Sequence, residues 1–169
     1  MIIVSEHFFI FLQISIICLF LSQCGFLLKK IIFLEYDNKN FEENGLFGFI
    51  FIGLISLVVN FFYPLNLIVN NTIFIIIFFV SFMLNFFDQN KIKLIKKIFC
   101  VSFFCYILFI YSNVNTPDAL LYHLPYSKII NEEKIVIGLV NVHFRFGHIS
   151  IFQYISSFFN NSLFKENGV

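Results

Sequence analysis

From Phe8 to Leu28 no residue of the chain carries a charge, and the run closes on Lys29-Lys30. Eighteen or more nearly uncharged apolar residues are enough to cross the hydrocarbon core of a bilayer as a helix. Three further runs follow, Leu46–Phe62, Ile68–Phe87 and Ile98–Ser112. In lipid every backbone N–H and C=O must be satisfied inside its own segment, so each run predicts a helix. The predicted fold class is an all-α integral membrane protein with four transmembrane helices, followed by an extracytoplasmic helical segment whose end suits either the membrane surface or an incomplete fifth span.

Composition supports this only through its arrangement. The 28 Phe, with many Ile, Asn and Lys and no Trp, indicate a compositional bias that would raise apolar content anywhere. Such a bias does not sort lysines away from the Phe/Ile runs, yet here they are sorted. Hydrophobic residues make up 59% and charged ones 12%, against about a quarter charged in soluble domains. A net charge of +1 gives no reason to expect a nucleic-acid partner; the expected partner is the lipid bilayer. Cys18, Cys24, Cys100 and Cys105 lie inside apolar runs at spacings that are neither redox nor metal motifs, and read as small buried thiols.

Lysine placement predicts orientation. Lys29, Lys30 and Lys39 follow the first run, and Lys91, Lys93, Lys96 and Lys97 separate the third from the fourth. Cytoplasmic loops are enriched in Lys and Arg. The N-terminus, which lacks a signal-peptide pattern, and everything beyond Asn113 are then extracytoplasmic. The link around Pro64 is so short that the second and third runs should form an antiparallel hairpin, with Gly48 and Gly53 allowing close approach. The chain thus divides into a four-span region, residues 1–113, and a motif-bearing loop with an amphipathic helix, residues 114–169.

That second part holds three of the four histidines and the only arginine. Thr116-Pro117-Asp118 reads as a helix start with Thr116 as N-cap, placing Asp118 and Tyr122 on one face. Pro125 bends that helix or begins another, Asn131–Lys134 reads as a solvated turn, and Gly138 marks a break. Ile149–Phe164 is amphipathic, suited to the membrane surface or to the incomplete fifth span. Asn70-Asn71-Thr72 and Asn160-Asn161-Ser162 match a glycosylation pattern that chance supplies in so Asn-rich a chain.

The stretch D-A-L-L-Y-H-L-P-Y-S-K-I-I-N-E-E-K-I-V-I-G-L resembles the first extracytoplasmic loop of polytopic glycosyltransferases of the GT-C superfamily. Extended through G-L-V-N-V-H-F-R-F-G-H-I-S, it is similar to a family of bacterial multi-pass membrane proteins of unassigned function, recognisable by Y-H-L-P and G-L-x-N-x-x-x-R. The resemblance covers roughly residues 113–159. It implies the N-terminal part of a longer multi-pass enzyme of the bacterial inner membrane, transferring sugar from a polyprenyl-phosphate donor in cell-envelope glycan assembly. Two departures stand against it: four runs precede the loop rather than one, and the family has about eight to thirteen spans.

The resemblance implies Asp118 as catalytic base. The residues alone also allow a first-turn acid that stabilises a helix N-terminus. Arg145, between Phe144 and Phe146, suits bidentate contact with a donor phosphate, or interfacial snorkelling. Tyr122, His123 and His148 complete the substrate-binding set, with His123 orienting Asp118, Tyr122 or the substrate. His123, His143 and His148 with Asp118 carry donor atoms for a divalent metal, but no His-x-x-x-His pair occurs, and no metal or cofactor is expected. The competing expectation is a non-catalytic membrane scaffold or carrier component, or an inactive fragment, in which the same residues anchor a loop.

Overall fold

The computed structural model describes residues 2–32, 40–84, 91–111, 119–142, 144–147 and 150–164. All regular structure among them is helical: α1 (Ile2–Ile32), α2 (Phe41–Phe62), α3 (Leu67–Met83), α4 (Lys91–Tyr111), α5 (Leu124–Glu132) and α6 (Ile151–Phe159). A π-helical turn, Ala119–His123, leads into α5, and two 3-10 turns, Leu139–Asn141 and Phe144–Gly147, separate α5 from α6. Among the described residues three helical stretches are long and apolar enough to cross a membrane: Glu6–Ile32, Phe41–Phe62 and Ile92–Tyr111. The third run forms the 17-residue Leu67–Met83, at the lower limit of the roughly 17–25 residues a crossing requires. The fourth helix starts seven residues earlier than the apolar run predicts. Lysines are good helix formers, so Lys91–Lys97 form the first two turns of α4 rather than a loop.

The chain folds as two compact units. The first comprises Met1–Phe51 and Ile76–Ser112, the second Ile52–Ile75 and Asn113–Val169.

In the first unit α1 meets α4 through an aromatic seam. Phe11 lies 5.7 Å from Phe99 and 5.9 Å from Tyr106, both edge-to-face, and His7 stacks edge-on against Tyr106 at 6.2 Å. Edge-to-face pairing suits the ring quadrupoles. Against α2, α1 makes backbone contact: a methyl group on Gly25 would run into the Asn44 carbonyl, and one on Gly48 into the Leu21 carbonyl. Small residues at such crossings let helices approach without side chains between them. Ser22 Oγ donates to the Phe41 carbonyl at 3.1 Å across the same seam. The buried Lys29 ammonium reaches Glu43 at 2.6 Å and lies 4.7 Å above the Phe47 ring. Lys29 is therefore a paired residue within α1 rather than a loop charge. Of the four thiols, Cys24 is buried as expected, whereas Cys100 is on the exposed face of α4.

Gly48 thus faces α1, and a methyl group on Gly53 would meet Ile151 and Ile155 of α6. Neither glycine serves the α2–α3 approach expected of it, because the partner of a small residue depends on tertiary arrangement rather than on helical register. The seam can be checked within one helix. Gly48→Ala should destabilise the protein by about 1–3 kcal/mol, as overpacking typically does. Gly45→Ala, where nothing lies within 4 Å, should be neutral or stabilising by about 0.5–1 kcal/mol. Thermal unfolding of the two variants in detergent reads the contrast, and equal behaviour would refute the seam.

The second unit is built around the α2–α3 turn. Leu65 is fully buried with Tyr126, Ile130 and Tyr154, and Leu57, Val59, Val69, Leu139 and Phe146 pack around them. Asn66 caps α3, its Oδ1 accepting from the Val69 N–H at 3.0 Å. α6 is nine residues long and buries Tyr154, Ile155, Phe158 and Phe159. Among the described residues it is a nine-residue helix of this unit's core, too short to cross a bilayer, where the sequence allowed a surface helix or an incomplete fifth span over Ile149–Phe164. Its start is a complete capping box between Ser150 and Gln153.

Candidate functional site

The Thr116–Asp118 helix start lies outside the described residues, and so do His143, His148 and the Arg145 side chain. The first described element of the motif is the π turn Ala119–His123. Pro125 is the second residue of α5, which follows the π turn with no break in the helical backbone, His123 lying at φ −67° and ψ −52°. Single π turns often occur at functional sites.

Tyr122 and His123 lie side by side, ring centres 4.2 Å apart. His123 Nδ1 is 3.4 Å from Gln153 Nε2. Gln153 Oε1 already accepts from the Ser150 N–H at 3.0 Å, so it is the amide's NH2 that faces the imidazole. Nδ1 is then the acceptor, which puts the proton of the neutral ring on Nε2. One turn on, Tyr126 packs 5.8 Å from Phe146. Phe146 faces this core while Phe144 is exposed, so the two rings flanking Arg145 do not share an environment. The Y-H-L-P-Y segment therefore rests on the segment that carries F-R-F-G and I-S-I-F-Q.

Between them lies a cavity of about 270 Å³. Tyr126, Ile130, Tyr154, Phe146 and Leu139 line it, and Asn60 and Glu133 lie at its edge. Tyr126 and Tyr154 share a hydrogen bond, and burial raises both phenol pKa values above the ordinary range. A phenol is neutral when protonated, so this contribution to stability is fully present below the unfolded value of about 10. It is lost as pH rises above that value through the folded ones. The Tyr126→Phe/Tyr154→Phe double variant should retain its fold further into alkali than wild type, with both followed by helical circular dichroism. The share of the wild-type phenolate absorbance that the double variant lacks should develop together with unfolding. That share appearing well before helix loss would show these two side chains to be accessible.

A feature the sequence reading passed over is a set of asparagines serving backbone carbonyls. Asn60 Nδ2 donates to Ile130 O at 3.2 Å and Glu133 O at 3.0 Å. Asn70 Nδ2 donates to Leu65 O, Ser157 O and Asn160 O at 2.9, 2.9 and 3.1 Å. Asn131 Nδ2 reaches Leu65 O and Ser157 O, and its Oδ1 accepts from Asn160 Nδ2 at 3.0 Å. The carbonyls at a helix C-terminus have no intrahelical donor, and these side chains supply donors for the last turns of α5 and α6. Asn131 is thus a joint within the unit rather than part of a solvated turn, and Asn160 shares in the network. The available signal was Asn60, Asn70 and Asn71 inside apolar runs, since polar residues in membrane segments usually face protein rather than lipid.

Among the described residues no cluster of three His, Cys, Asp or Glu could hold a metal. Three of the four candidate ligands (Asp118, His143 and His148) lie outside them.

Neither the curated proteins nor the solved structures contain a match to the chain. A family model matches residues 8–168, almost the whole length and both units together. The chain belongs to the family described as a domain of unknown function, DUF8201.

Proposed function

We propose that the chain is part of a multi-pass membrane glycosyltransferase-like protein that transfers sugar from a polyprenyl-phosphate donor in cell-envelope glycan assembly. In this reading α3 crosses as well, giving four spans, the membrane is the bacterial inner membrane, and residues 114–169 are extracytoplasmic. The observation that carries the reading is the meeting of the two motif halves beside an apolar cavity, with His123 held by Gln153 and Tyr126 packed near Phe146. Apolar walls with a few placed polar groups are the usual make-up of a small-molecule site, and they suit the first carbons of a lipid carrier. Asp118 directly precedes the Ala119–His123 turn. It would take the proton of the acceptor hydroxyl as that oxygen bonds the anomeric carbon and the carbon–oxygen bond to the donor phosphate breaks. Arg145 would neutralise the departing lipid phosphate. Tyr122, His123 and His148 would hold the sugar.

The asparagine network favours a second reading, a scaffold, because it commits much of the unit's polar capacity to holding α5 and α6 in place. Transfer of labelled sugar from a polyprenyl-phosphate donor by membranes containing the protein, against membranes without it, separates the two. Correctly inserted protein without transfer would leave the scaffold.

A further inference from the structure

The segment that follows α5 is apolar yet turned outward. Ile137 is 95% exposed and Val142 76%, with Val136, Val140 and Phe144 exposed as well. Gly138 adopts φ 91°, in the left-handed region, and the Asn141 N–H closes back on its carbonyl at 2.9 Å. This turn presents the branched side chains around it on the outside instead of folding them inward.

The base of the segment is tied to the end of a membrane-length helix. The Ile135 N–H donates to the Asn60 carbonyl at 2.9 Å, and Asn60 Nδ2 holds Glu133 O. Asn60 lies in the last turn of α2, whose own end, Phe61 and Phe62, is exposed together with Tyr63. The outward-facing aliphatics therefore start where an apolar helix of crossing length reaches its end. An exposed apolar loop at that level meets headgroups and upper acyl chains, where burial of aliphatic side chains is favourable. Lys134, also exposed, sits at the start of the loop, where its ammonium can remain in the headgroup layer while its methylenes follow the loop inward.

We propose that residues 136–142 form a bilayer-inserting loop, lowering Ile137, Val140 and Val142 into the lipid leaflet at the α2–α3 turn. The loop also walls the 270 Å³ cavity, so its insertion opens that cavity towards lipid. The inference requires α2 to cross a bilayer but no transfer chemistry, and it holds equally for a scaffold.

The chain contains no Trp, so one introduced indole reports alone. Ile137→Trp is sterically free at so exposed a position. Lys128→Trp, on the solvated face of α5 where Lys128 pairs with Glu132 at 3.7 Å, is the reference. Both are placed in the full chain reconstituted in phosphatidylcholine vesicles, with and without a fraction of lipid brominated high in its acyl chains. Unchanged circular dichroism establishes that each variant is folded. The expected result is blue-shifted Ile137→Trp emission, quenched several-fold more strongly by brominated lipid than that of Lys128→Trp. Blue-shifted emission that brominated lipid does not quench would mean that protein covers the loop, and overturns the proposal. Water-like emission equal to the reference overturns it too.

Discussion

If the protein transfers sugar as proposed, Asp118→Asn should lower that transfer by about a hundred- to ten-thousand-fold while leaving the protein folded and in the membrane. That range is what a positioned general base typically contributes. Asn matches Asp in size and caps helices about as well, so loss of the proton acceptor is the principal change. The His123–Gln153 contact, the Tyr126–Phe146 contact and the capping box of α6 are made by other residues. The measurement is transfer from a polyprenyl-phosphate donor by membranes at matched protein level, with Asp118→Leu alongside. If Asp118 serves only the helix start, Asp118→Asn will be nearly silent and Asp118→Leu will lower yield without abolishing transfer. Full transfer by the Asn variant would remove Asp118 from the chemistry.

The parts of the fold legible in the sequence are those dictated by solvent. Phe8–Leu28 and Leu46–Phe62 could not be anything but helices in lipid, and both lie inside helices of the expected type. Pro125 and Gly138 also did what their backbones require, one lying in the first turn of α5 and the other taking a left-handed turn. Legibility stopped where partner choice began. Gly25 and Gly48 look like any other small residues in an apolar run until two backbones are brought together. The start of α4 was misplaced because lysines mark the end of an apolar run but not the end of a helix. Ile149–Phe164 has the composition of a membrane segment, yet α6 buries Tyr154, Phe158 and Phe159 inside a protein core. Apolar composition alone does not distinguish lipid from protein as the covering medium.

The site was half legible. The motif placed Tyr122 and His123 together, since they are adjacent in sequence, but nothing in its spacing showed that Gln153 would be the partner of His123. The cavity depends on four separate segments, represented by Ile130, Phe146 and Tyr154 and by Asn60, which lies 70 residues before the first of them. The asparagines were the larger omission. In an Asn-rich chain each looks like background, and the sequon-like patterns at Asn70 and Asn160 read as chance. What distinguishes them is the carbonyls they serve, which exist as unpaired acceptors only once α5 and α6 end where they do.

The largest stability effect should fall on one of two neighbouring asparagines. Asn70 acts as a donor: its Nδ2 serves the carbonyls of Leu65, Ser157 and Asn160, and the side chain is fully buried. Asn71 acts as an acceptor: its Oδ1 takes the Ser162 N–H at 3.3 Å and the Ser162 hydroxyl at 2.9 Å, near the surface. Asn→Asp keeps shape and volume but exchanges an NH2 for a second oxygen. At position 70 this sets a carboxylate against three carbonyl oxygens with no donor between them. A buried polar group left unpaired costs about 1–3 kcal/mol, more when charged. Asn131 still reaches Leu65 O and Ser157 O, so the carbonyls keep part of their bonding, while the buried acid keeps none. Asn70→Asp should therefore lose upwards of about 3 kcal/mol, on the order of 10 °C in unfolding midpoint for a chain of this size. Part of the loss should return at acidic pH, where the protonated carboxyl can donate once. Asn71→Asp keeps its acceptor and should stay within about 0.5 kcal/mol of wild type, as surface changes generally do. Thermal unfolding of both variants in the same detergent, at neutral and acidic pH, measures the difference. Equal losses at the two positions, or none at Asn70, would mean that the helix ends of the second unit are not held by the Asn70 amide.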